Sequence, residues 1–320
     1  MAKVLIIGAK GMLGQELVNV FQKDKDYNIF AWDREELDIT NQKQADKLIS
    51  ALKPKIIINS AAYNAVDKCE QDKKEFTLAK KINGLAPGYL AKIAKKIGAT
   101  FVHYSSDYVF NGEPEINLEP EGCTHLCSSC NLHQGFVPQI GFAEDAKPKP
   151  INNYGKSKLM GEKEVKKNAK KYYIIRLSKL FGKPAKMNPP AGGAKRSFFD
   201  VMLELGKKNN PPAGGVKVVD EETSCFTYAP DLAKKTKEII ESKKPFGIYH
   251  ITNSDPCTWY EAVVELYKQA KIKTKAVLIS SDEFPRPAKR PHVSTLINTK
   301  LNPLRGYKDA LKEYLKNIKT

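Results

Sequence analysis

Two side chains four positions apart, Tyr154 and Lys158, have the types and spacing of an acid–base pair. This spacing places both of them on one face of a helix. An ammonium group near a phenol favours the phenolate and lowers the pKa of the tyrosine from its usual value of about 10. Such a tyrosine can donate and accept a proton near neutral pH. The spacing is also common among surface pairs, so a second feature has to support the catalytic interpretation.

That feature is a serine at the end of an apolar segment. Ser106 lies in the stretch His103-Tyr-Ser-Ser-Asp-Tyr-Val-Phe110, which ends the predicted strand Thr100–Ser105. Ligands bind at the carboxyl ends of the strands in open α/β sheets. A hydroxyl group at that edge can donate a hydrogen bond to a substrate carbonyl. Ser106, Tyr154 and Lys158 therefore predict a site that acts on a carbonyl group.

A glycine-rich turn predicts a dinucleotide site. Gly8, Gly11 and Gly14 follow the first predicted strand and open the first helix. Gly8 permits a tight turn, Gly11 lets the backbone approach a pyrophosphate, and Gly14 lets the helix pack on the strand. The pyrophosphate would lie at the helix N-terminus, where free N–H groups and the helix dipole favour anions. The Gly-x2-Gly-x2-Gly spacing is the one that extended short-chain dehydrogenases use.

Residues after the second and third predicted strands concern the rest of the cofactor. Asp33 comes about 20 residues after the glycines, where an acid can hold the ribose of an adenosine. Its neighbour Arg34 could instead bind a 2′-phosphate, so the choice between NAD and NADP stays open. Asn59-Ser-Ala-Ala62 ends the third strand, and its small side chains would let a cofactor lie flat against the sheet edge.

The elements that must position these residues alternate between short apolar runs and longer amphipathic ones. Strands are predicted at Lys3–Gly8, Tyr27–Trp32, Lys55–Asn59, Thr100–Ser105 and Tyr172–Leu177, with helices near Leu13–Phe21, Gln42–Leu52, Ile82–Ile97 and Tyr154–Lys167. Further helices are predicted at Ser197–Lys208, from the capping box Thr258-Trp-Tyr-Glu261 to about Ala270, and at Tyr307–Ile318. Apolar strands without strict alternation indicate burial on both faces. The predicted fold class is α/β, with a Rossmann-type doubly wound parallel sheet and a smaller C-terminal lobe.

The composition argues against several classes of protein. Of the 320 residues, 41% are hydrophobic, which is enough for a packed core. No apolar run approaches the roughly 20 residues that cross a bilayer, and no signal peptide is predicted, so we expect a cytoplasmic protein without membrane association. The net charge is +17, yet only six of the 53 basic residues are arginine. Attraction for small anionic ligands is therefore expected rather than a nucleic-acid partner.

Several longer motifs resemble one family along nearly the whole chain. The chain is similar to the dTDP-4-dehydrorhamnose reductases, which are extended short-chain dehydrogenase/reductases that act on a nucleotide sugar. The motifs that carry the resemblance are Ala61-Ala-Tyr-Asn-Ala-Val-Asp-Lys-Cys-Glu70, Ser105-Ser-Asp-Tyr-Val-Phe-Asn-Gly112, Asn153-Tyr-Gly-Lys-Ser-Lys158, Ile175-Arg-Leu-Ser178, Gly247-Ile-Tyr-His250, Trp259-Tyr-Glu261 and Pro287-Ala-Lys-Arg-Pro291. The last of them separates these reductases from related epimerases and dehydratases.

The resemblance implies reduction of the 4-keto group of dTDP-4-dehydro-L-rhamnose by NADPH or NADH. Tyr154 would donate the proton, Lys158 would lower its pKa and hold the nicotinamide ribose, and Ser106 would orient the carbonyl. The implied cofactor contacts are Gly8, Gly11, Met12, Leu13, Gly14, Asp33, Arg34, Asp38, Ile39, Ala61, Ala62, Tyr63, Tyr104 and Lys158. The implied substrate contacts are Asn64, Val66, Ser106, Asp107, Lys179 and Arg290. The oligomeric state stays open, with a homodimer as one option.

Three positions depart from the family pattern. Ser106 replaces a threonine and keeps the hydroxyl, whereas Asn64 replaces a common threonine. Lys179 stands where the family has an aromatic residue near the sugar, which leaves the exact sugar open. Other functions to weigh are a related nucleotide-sugar reductase or epimerase, a nucleic-acid binder, and a non-catalytic NADP-binding regulatory subunit like the methionine adenosyltransferase β-subunit.

The chain is expected to form two lobes and to carry one insertion. Residues 1–180 and about 216–250 would form the NAD(P)-binding lobe, and residues 181–215 and 251–320 the substrate lobe. The insertion at 117–140 has five potential zinc ligands, namely Cys123, His125, Cys127, Cys130 and His133. With no second cysteine pair nearby, a surface loop with reduced thiols is favoured over a metal site. The hexapeptide Asn-Pro-Pro-Ala-Gly-Gly, which occurs at 188–193 and 210–215, is interpreted as two loop insertions.

Overall fold

A six-stranded parallel sheet forms the centre of the computed structural model, which describes residues 1–114, 140–186, 196–208 and 214–318. Its strands are β1 (Ala2–Ile7), β2 (Tyr27–Trp32), β3 (Ile56–Asn59), β4 (Thr100–Ser106), β5 (Tyr172–Leu177) and β9 (Gly247–His250). They lie in the order β2-β1-β3-β4-β5-β9, and every pair is parallel. Because β2 and β3 lie on opposite sides of β1, the connections reverse direction between β1 and β3. Ligands bind at such a reversal, beyond the carboxyl ends of the strands.

Helices cover both faces of this sheet. The helices of the first half are α1 (Met12–Phe21), α2 (Gln42–Leu52), α3 (Val66–Gln71), α4 (Lys73–Ala79), α5 (Ala86–Ile97) and α6 (Asn153–Asn168), and α8 (Ala229–Glu241) packs beside α1. Leu5 and Ile7 of β1 face a core with α2 and α5, whereas Val4 and Ile6 face a core with α1 and α8. The predicted fold class, a doubly wound parallel sheet, is therefore confirmed.

The predicted helix at Ile82–Ile97 is the element that differs most from the expectation. Residues Lys80–Leu85 form a π-helical turn between α4 and α5, so the helical region begins earlier and is not uniform. The side chain of Asn83 in this turn is almost fully buried and binds two other segments of the active-site region. A π turn adds one residue per turn and is often found where a side chain has a special position.

A second hydrophobic core lies in the C-terminal half. It contains α7 (Phe198–Lys207), α9 (Trp259–Ala270) and α10 (Tyr307–Asn317), together with β6 (Leu180–Phe181) paired with β8 (Thr227–Tyr228) and β7 (Val216–Val219) paired with β10 (Ala276–Ile279). The predicted capping box opens α9 with Thr258 as the N-cap, and α7 begins with a second capping box at Ser197 that was not predicted. Val216 and Val218 pack in this second core, so the chain returns to the six-stranded sheet later than the expected residue 216.

Some predictions concern parts of the chain outside the described residues. They include the Cys-rich segment from Cys123 to His133, the first hexapeptide repeat and most of the second. In the described ranges, no three or more His, Cys, Asp and Glu side chains are grouped as a metal site would require. No helix of those ranges is long and apolar enough to cross a membrane.

Candidate active site

The glycine turn joins β1 to α1 at the reversal point of the sheet. Gly8 has a φ of +78°, and a Cβ atom there would lie 2.7 Å from the amide nitrogen of Ala61. A Cβ on Gly14 would lie 2.0 Å from the carbonyl oxygen of Gly8, so the helix packs directly on the turn. A Cβ on Gly11 would meet only the Gly8 oxygen, at 3.1 Å. Protein packing thus requires Gly8 and Gly14 to lack a side chain, whereas the space beside Gly11 fits a pyrophosphate.

The end of β2 closes the turn from the other side. Asp33 is buried, and its carboxylate accepts hydrogen bonds from the backbone N–H groups of Lys10 at 3.0 Å and Arg34 at 2.8 Å. Lys10 pairs with Glu35 at 3.0 Å. The carboxylate therefore connects the glycine turn to the end of β2. This is the position from which an acid can hold an adenosine ribose. Both an acid and the cations of Lys10 and Arg34 lie at this edge, so the choice between the two dinucleotides stays open.

The other predicted cofactor contacts near the glycine turn differ in whether a side chain or only the backbone can reach a ligand. Burial favours a higher pKa for Asp38, but hydrogen bonds from the side chain and backbone of Thr40 hold that pKa below its usual value. Leu13 and Ile39 bury their side chains in the two cores, so only their backbones can reach a ligand. Met12 is half-buried at the first position of α1.

The loop after β3 is held in place by Asn83. Ala61 and Ala62 follow Ser60, whose hydroxyl donates to the carbonyl of Ile7 at 2.7 Å. Asn83 accepts a hydrogen bond from the Tyr63 N–H at 2.9 Å and donates to the Tyr63 carbonyl at 2.8 Å. It also donates to the Ser157 hydroxyl of α6 at 3.0 Å. The Tyr63 side chain bonds Glu75 on α4, so its backbone, rather than its phenol, faces the cofactor edge.

Tyr154 begins α6 directly beside the end of β4. Asn152 caps the helix by accepting from the Gly155 N–H at 2.8 Å. A Cβ on Gly155 would lie 2.1 Å from the Tyr108 carbonyl, so the glycine lets α6 approach the turn after β4. The Tyr154 hydroxyl donates to the Asn64 side-chain oxygen at 3.4 Å, and the nearby Ser106 hydroxyl acts to lower the pKa of the Tyr154 phenol. The structure thus brings two predicted catalytic hydroxyls together.

The charge state of Tyr154 differs from the sequence-based expectation. Burial raises the pKa of its phenol well above 10, and the nearby charge of Asp107 raises it further, while the Ser106 hydroxyl acts in the opposite direction. Lys158 has no part in this balance. The prediction that Lys158 lowers the pKa of Tyr154 is therefore wrong for the chain without a ligand. A phenol that stays protonated is nevertheless the form that can donate a proton to a reduced carbonyl.

Lys158 points toward the end of β4. Its ammonium group donates to the Tyr104 carbonyl at 2.6 Å and is almost completely buried. Burial lowers the pKa of Lys158 to about 8, although the charge of Glu162 opposes this change. The Tyr104 phenol lies on the opposite face and bonds the Thr236 hydroxyl at 2.8 Å. Tyr104, expected as a cofactor contact, therefore offers a backbone carbonyl to the site and not its side chain.

Asp107 is the most highly connected acid of the site. The Ser106 hydroxyl donates to its Oδ1 at 2.8 Å, and the hydroxyl of Ser294 donates to its Oδ2 at 2.7 Å. Burial raises the pKa of Asp107, while these hydroxyls and the charge of Lys179 act to lower it. The sequence motifs contain both Ser106 and Asp107 but give no sign that Ser294 reaches them.

Lys179 and Arg290 both bind other side chains or backbone groups of the same chain. Lys179 has a φ of +40°, and its ammonium group lies 3.9 Å from the centre of the Trp259 ring and 3.2 Å from the Glu222 carbonyl. Burial lowers the pKa of Lys179 to about 8, and the charges around it act in the opposite direction. Arg290 pairs with Asp67 at 2.9 Å, next to Val66 at the start of α3. Both predicted substrate contacts are thus held by other protein groups.

The site therefore has a glycine turn after β1 and, at the same edge of the sheet, a tyrosine that can donate a proton. This arrangement can transfer a hydride between a nicotinamide and a carbonyl carbon, with a tyrosine as the proton donor. Sequence reasoning missed two residues that position the donor, namely Asn83 and the helix cap Asn152. Asn152 precedes the Tyr-x3-Lys motif, and an asparagine before a helix is a known N-cap signal. Asn83 lies in a helix interior and has no such signal.

A glycine cradle at the reversal of a parallel sheet, with a tyrosine and a lysine at the same edge, defines a dinucleotide-dependent reductase of the extended short-chain type. Within that class, the chain belongs to the family described as RmlD substrate binding domain, whose model matches residues 2–320.

Individual relatives agree with this assignment. The Bacillus subtilis spore coat polysaccharide biosynthesis protein SpsK is 31% identical, covering 98% of this chain and 97% of its own length. The dTDP-4-dehydrorhamnose reductase of Aggregatibacter actinomycetemcomitans is 30% identical, covering 100% and 99%. A solved dTDP-4-dehydrorhamnose reductase from Clostridium acetobutylicum is 35% identical, with a TM-score of 0.82 and coverage of 99% and 100%. The Bacillus anthracis enzyme, solved in complex with NADP, is 30% identical, with a TM-score of 0.80 and coverage of 100% and 99%.

Proposed function

We propose that the chain reduces the 4-keto group of dTDP-4-dehydro-L-rhamnose to give dTDP-L-rhamnose, with NADPH or NADH as the reductant. Relatives named for this reaction match over 88% or more of their length, and one relative was solved with NADP. The observation that carries the proposal is the placement of Tyr154 against the turn that begins at Ser106, at the sheet edge that also holds the glycine cradle.

The residues at the reversal point fit a dinucleotide. The open space beside Gly11 would receive the pyrophosphate at the N-terminus of α1, which has no side-chain cap. Asp33, Arg34 and Asp38 would surround the adenosine end, and the backbone of the loop at 61–63 would lie along the cofactor. Lys158 would bind the nicotinamide ribose. When bound, the reduced nicotinamide supplies the hydride that reduces C4 of the sugar.

Tyr154 donates the proton in this proposal. As the keto oxygen gains negative charge, the neutral phenol transfers its proton to that oxygen. The neighbouring Ser106 hydroxyl favours the phenolate that results, since it acts to lower the pKa of Tyr154. The phenolate then regains a proton from solvent before the next turnover.

The sugar is proposed to lie between Tyr154 and the second core. Asn64 and Val66 would border it on the side of α3, and Asp107, Lys179 and Arg290 on the side of the C-terminal half. A Streptomyces antibioticus relative, 29% identical over 98% of this chain, is named a probable dTDP-4,6-dihydroxy-2-methyloxan-3-one 4-ketoreductase. A related dTDP-4-keto sugar is therefore the second candidate substrate. The proposal also includes a cytoplasmic location and leaves a homodimer to be tested by light scattering.

Steady-state kinetics would test the proposal. The purified chain is mixed with dTDP-4-dehydro-L-rhamnose and with NADPH or NADH, and the loss of the reduced nicotinamide is followed together with the sugar product. We expect turnover that is abolished by Tyr154→Phe. Cofactor binding without turnover of any dTDP-4-keto sugar would instead support the regulatory-subunit alternative and refute the reductase proposal.

A further inference from the structure

The turn after β4 contains a buried carboxylate that is surrounded by hydroxyl groups from distant parts of the chain. Asp107 is 3% exposed, and its neighbours Ser224 and Ser294 are equally inaccessible. Ser106 donates to Oδ1 at 2.8 Å, and Ser294 donates to Oδ2 at 2.7 Å. Ser224 lies at the longer distance of 3.4 Å from Oδ2. Two strong hydrogen bonds therefore connect the catalytic strand to the C-terminal segment through one side chain.

The Ser106 hydroxyl is held by two hydrogen bonds within the turn after β4. A hydroxyl has one proton to donate and two lone pairs that accept. The proton goes to Asp107, and the Tyr108 N–H donates to the oxygen at 3.2 Å. The Tyr154 hydroxyl donates to Asn64, and the nearby Ser106 hydroxyl acts to lower the pKa of Tyr154. In this arrangement a keto oxygen can receive the Ser106 proton only if the bond to Asp107 is given up.

Ser294 is held firmly in its place. Its N–H donates to the Thr223 carbonyl at 2.9 Å, and the N–H of Val293 donates to the Gly112 carbonyl at 3.3 Å. The segment around Ser294 thus binds the second core on one side and the chain after β4 on the other. The position of the Ser294 hydroxyl therefore depends on how the second core and the chain after β4 are arranged.

We propose that Asp107 is a positioning residue that fixes the direction of the Ser106 O–H bond and makes this direction depend on Ser294 of the C-terminal segment. This inference rests on the proposed function. Asp107 with Ser294 in place holds the Ser106 oxygen toward Tyr154, which aligns the proton donor. Without the Ser294 bond, Asp107 and with it Ser106 can turn away from the donor.

The charge of Asp107 also raises the pKa of Tyr154. A change in that pKa can therefore distinguish a positioning role of Asp107 from a purely structural one. The titratable groups that face Asp107 are Tyr108 in the same turn, Tyr154 from α6, Lys179 after β5 and Cys225 before β8. A negative charge raises the pKa of a neighbouring phenol. Replacement of Asp107 by a neutral residue should therefore lower the pKa of Tyr154.

Three variants test the inference, namely Asp107→Asn, Ser294→Ala and the double variant. For each, kcat, the KM values and the pH dependence of kcat/KM are measured with the same dTDP-4-keto sugar that the wild type reduces. Asp107→Asn should lower kcat by about 10²-fold, and Ser294→Ala by about fivefold, with small changes in the KM for NADPH. The double variant should be no slower than Asp107→Asn, because Ser294 acts through Asp107.

The pH profile provides the second measurement. Reduction requires protonated Tyr154, so kcat/KM falls as the pH rises through its pKa. In Asp107→Asn this basic limb should move to lower pH, whereas Ser294→Ala keeps the charge and should leave the limb in place. The unfolding free energies of the same four proteins give a further cycle that needs no substrate, and the two substitutions should be non-additive there as well.

Several results would overturn the inference. One is an Asp107→Asn protein that binds NADPH and keeps more than about a third of the wild-type kcat. Another is a double variant whose losses in kcat multiply. If Asp107→Asn does not fold, an unchanged kcat in Ser294→Ala suffices to reject the inference. A wild type that reduces no dTDP-4-keto sugar would refute the proposed function itself, and the inference would fall with it.

Discussion

The glycine cradle allows a sharp separation of cofactor binding from folding. Gly11 and Gly14 lie three residues apart, but a Cβ at Gly11 meets only the Gly8 oxygen at 3.1 Å, whereas a Cβ at Gly14 would lie 2.0 Å from that oxygen. Gly11 has φ −67° and ψ 165°, which any residue can adopt. We expect Gly11→Val to cost about 1 kcal/mol of stability, as replacements at a helix N-cap do. Gly14→Ala should cost about 3 kcal/mol, because α1 must move away from the turn.

The effect on NADPH binding should run in the opposite order. The valine side chain would occupy the space where the pyrophosphate binds, so Gly11→Val should lose at least about 10²-fold in affinity, or about 2.7 kcal/mol. At a concentration one hundred times the wild-type Kd, NADPH should raise the Tm of the wild type by about 5 °C. In Gly11→Val the same concentration should raise the Tm by less than about 1 °C.

Differential scanning fluorimetry with and without NADPH measures both quantities in one experiment. Circular dichroism of the apo proteins serves as the control for folding. If NADPH raises the Tm of Gly11→Val as much as that of the wild type, the cradle does not hold the pyrophosphate. If Gly14→Ala proves as stable as Gly11→Val, the close packing of α1 on the turn is wrong.

Three further predictions concern the donor, the insertion and the acid range. Tyr154→Phe removes only a hydroxyl, so turnover should fall by about 10²-fold or more while the NADPH-dependent rise in Tm persists; substantial remaining activity would exclude Tyr154 as the donor. Replacement of residues 118–140 by a short Gly-Ser linker should leave kcat within about tenfold, or about 1.4 kcal/mol of barrier, since Gly112 and Phe142 bond Val293 and Thr295, which lie only two residues apart on one segment. A deletion variant that folds and binds NADPH but cannot reduce the sugar would make the insertion part of the site, and zinc analysis of the wild type would follow. Burial lowers the pKa of His250 to about 3, so the unfolded state binds a proton that the folded state refuses between pH 6.5 and 3. Stability should therefore fall by up to about 1.4 kcal/mol per pH unit as the pH decreases through this window, and His250→Gln should flatten urea-unfolding data over the same range; an unchanged slope would contradict the assignment.

Much of the fold was predictable because its signals are local. The central strands are visible as short apolar runs, and β2 and β5 have the predicted bounds, since β-branched and aromatic side chains favour strands. The capping box at Thr258 was equally visible, because its partners lie three residues apart. The π turn at Lys80–Leu85 was not predictable, because it depends on the bonds that Asn83 makes to Tyr63 and Ser157.

The candidate site shows the same division. The amino-acid sequence determined which residues lie at the edge of the sheet: the spacing of the glycines, the serine at the end of β4, and the tyrosine and lysine one helical turn apart. Only the tertiary structure decided what those residues can do. Lys158 binds the Tyr104 carbonyl, burial raises the pKa of Tyr154, and Asp107 bonds Ser294, which is 187 residues away. The physical reason is that protonation and hydroxyl direction follow from desolvation and from neighbours that distant segments bring together, and neither can be read from spacing along the chain.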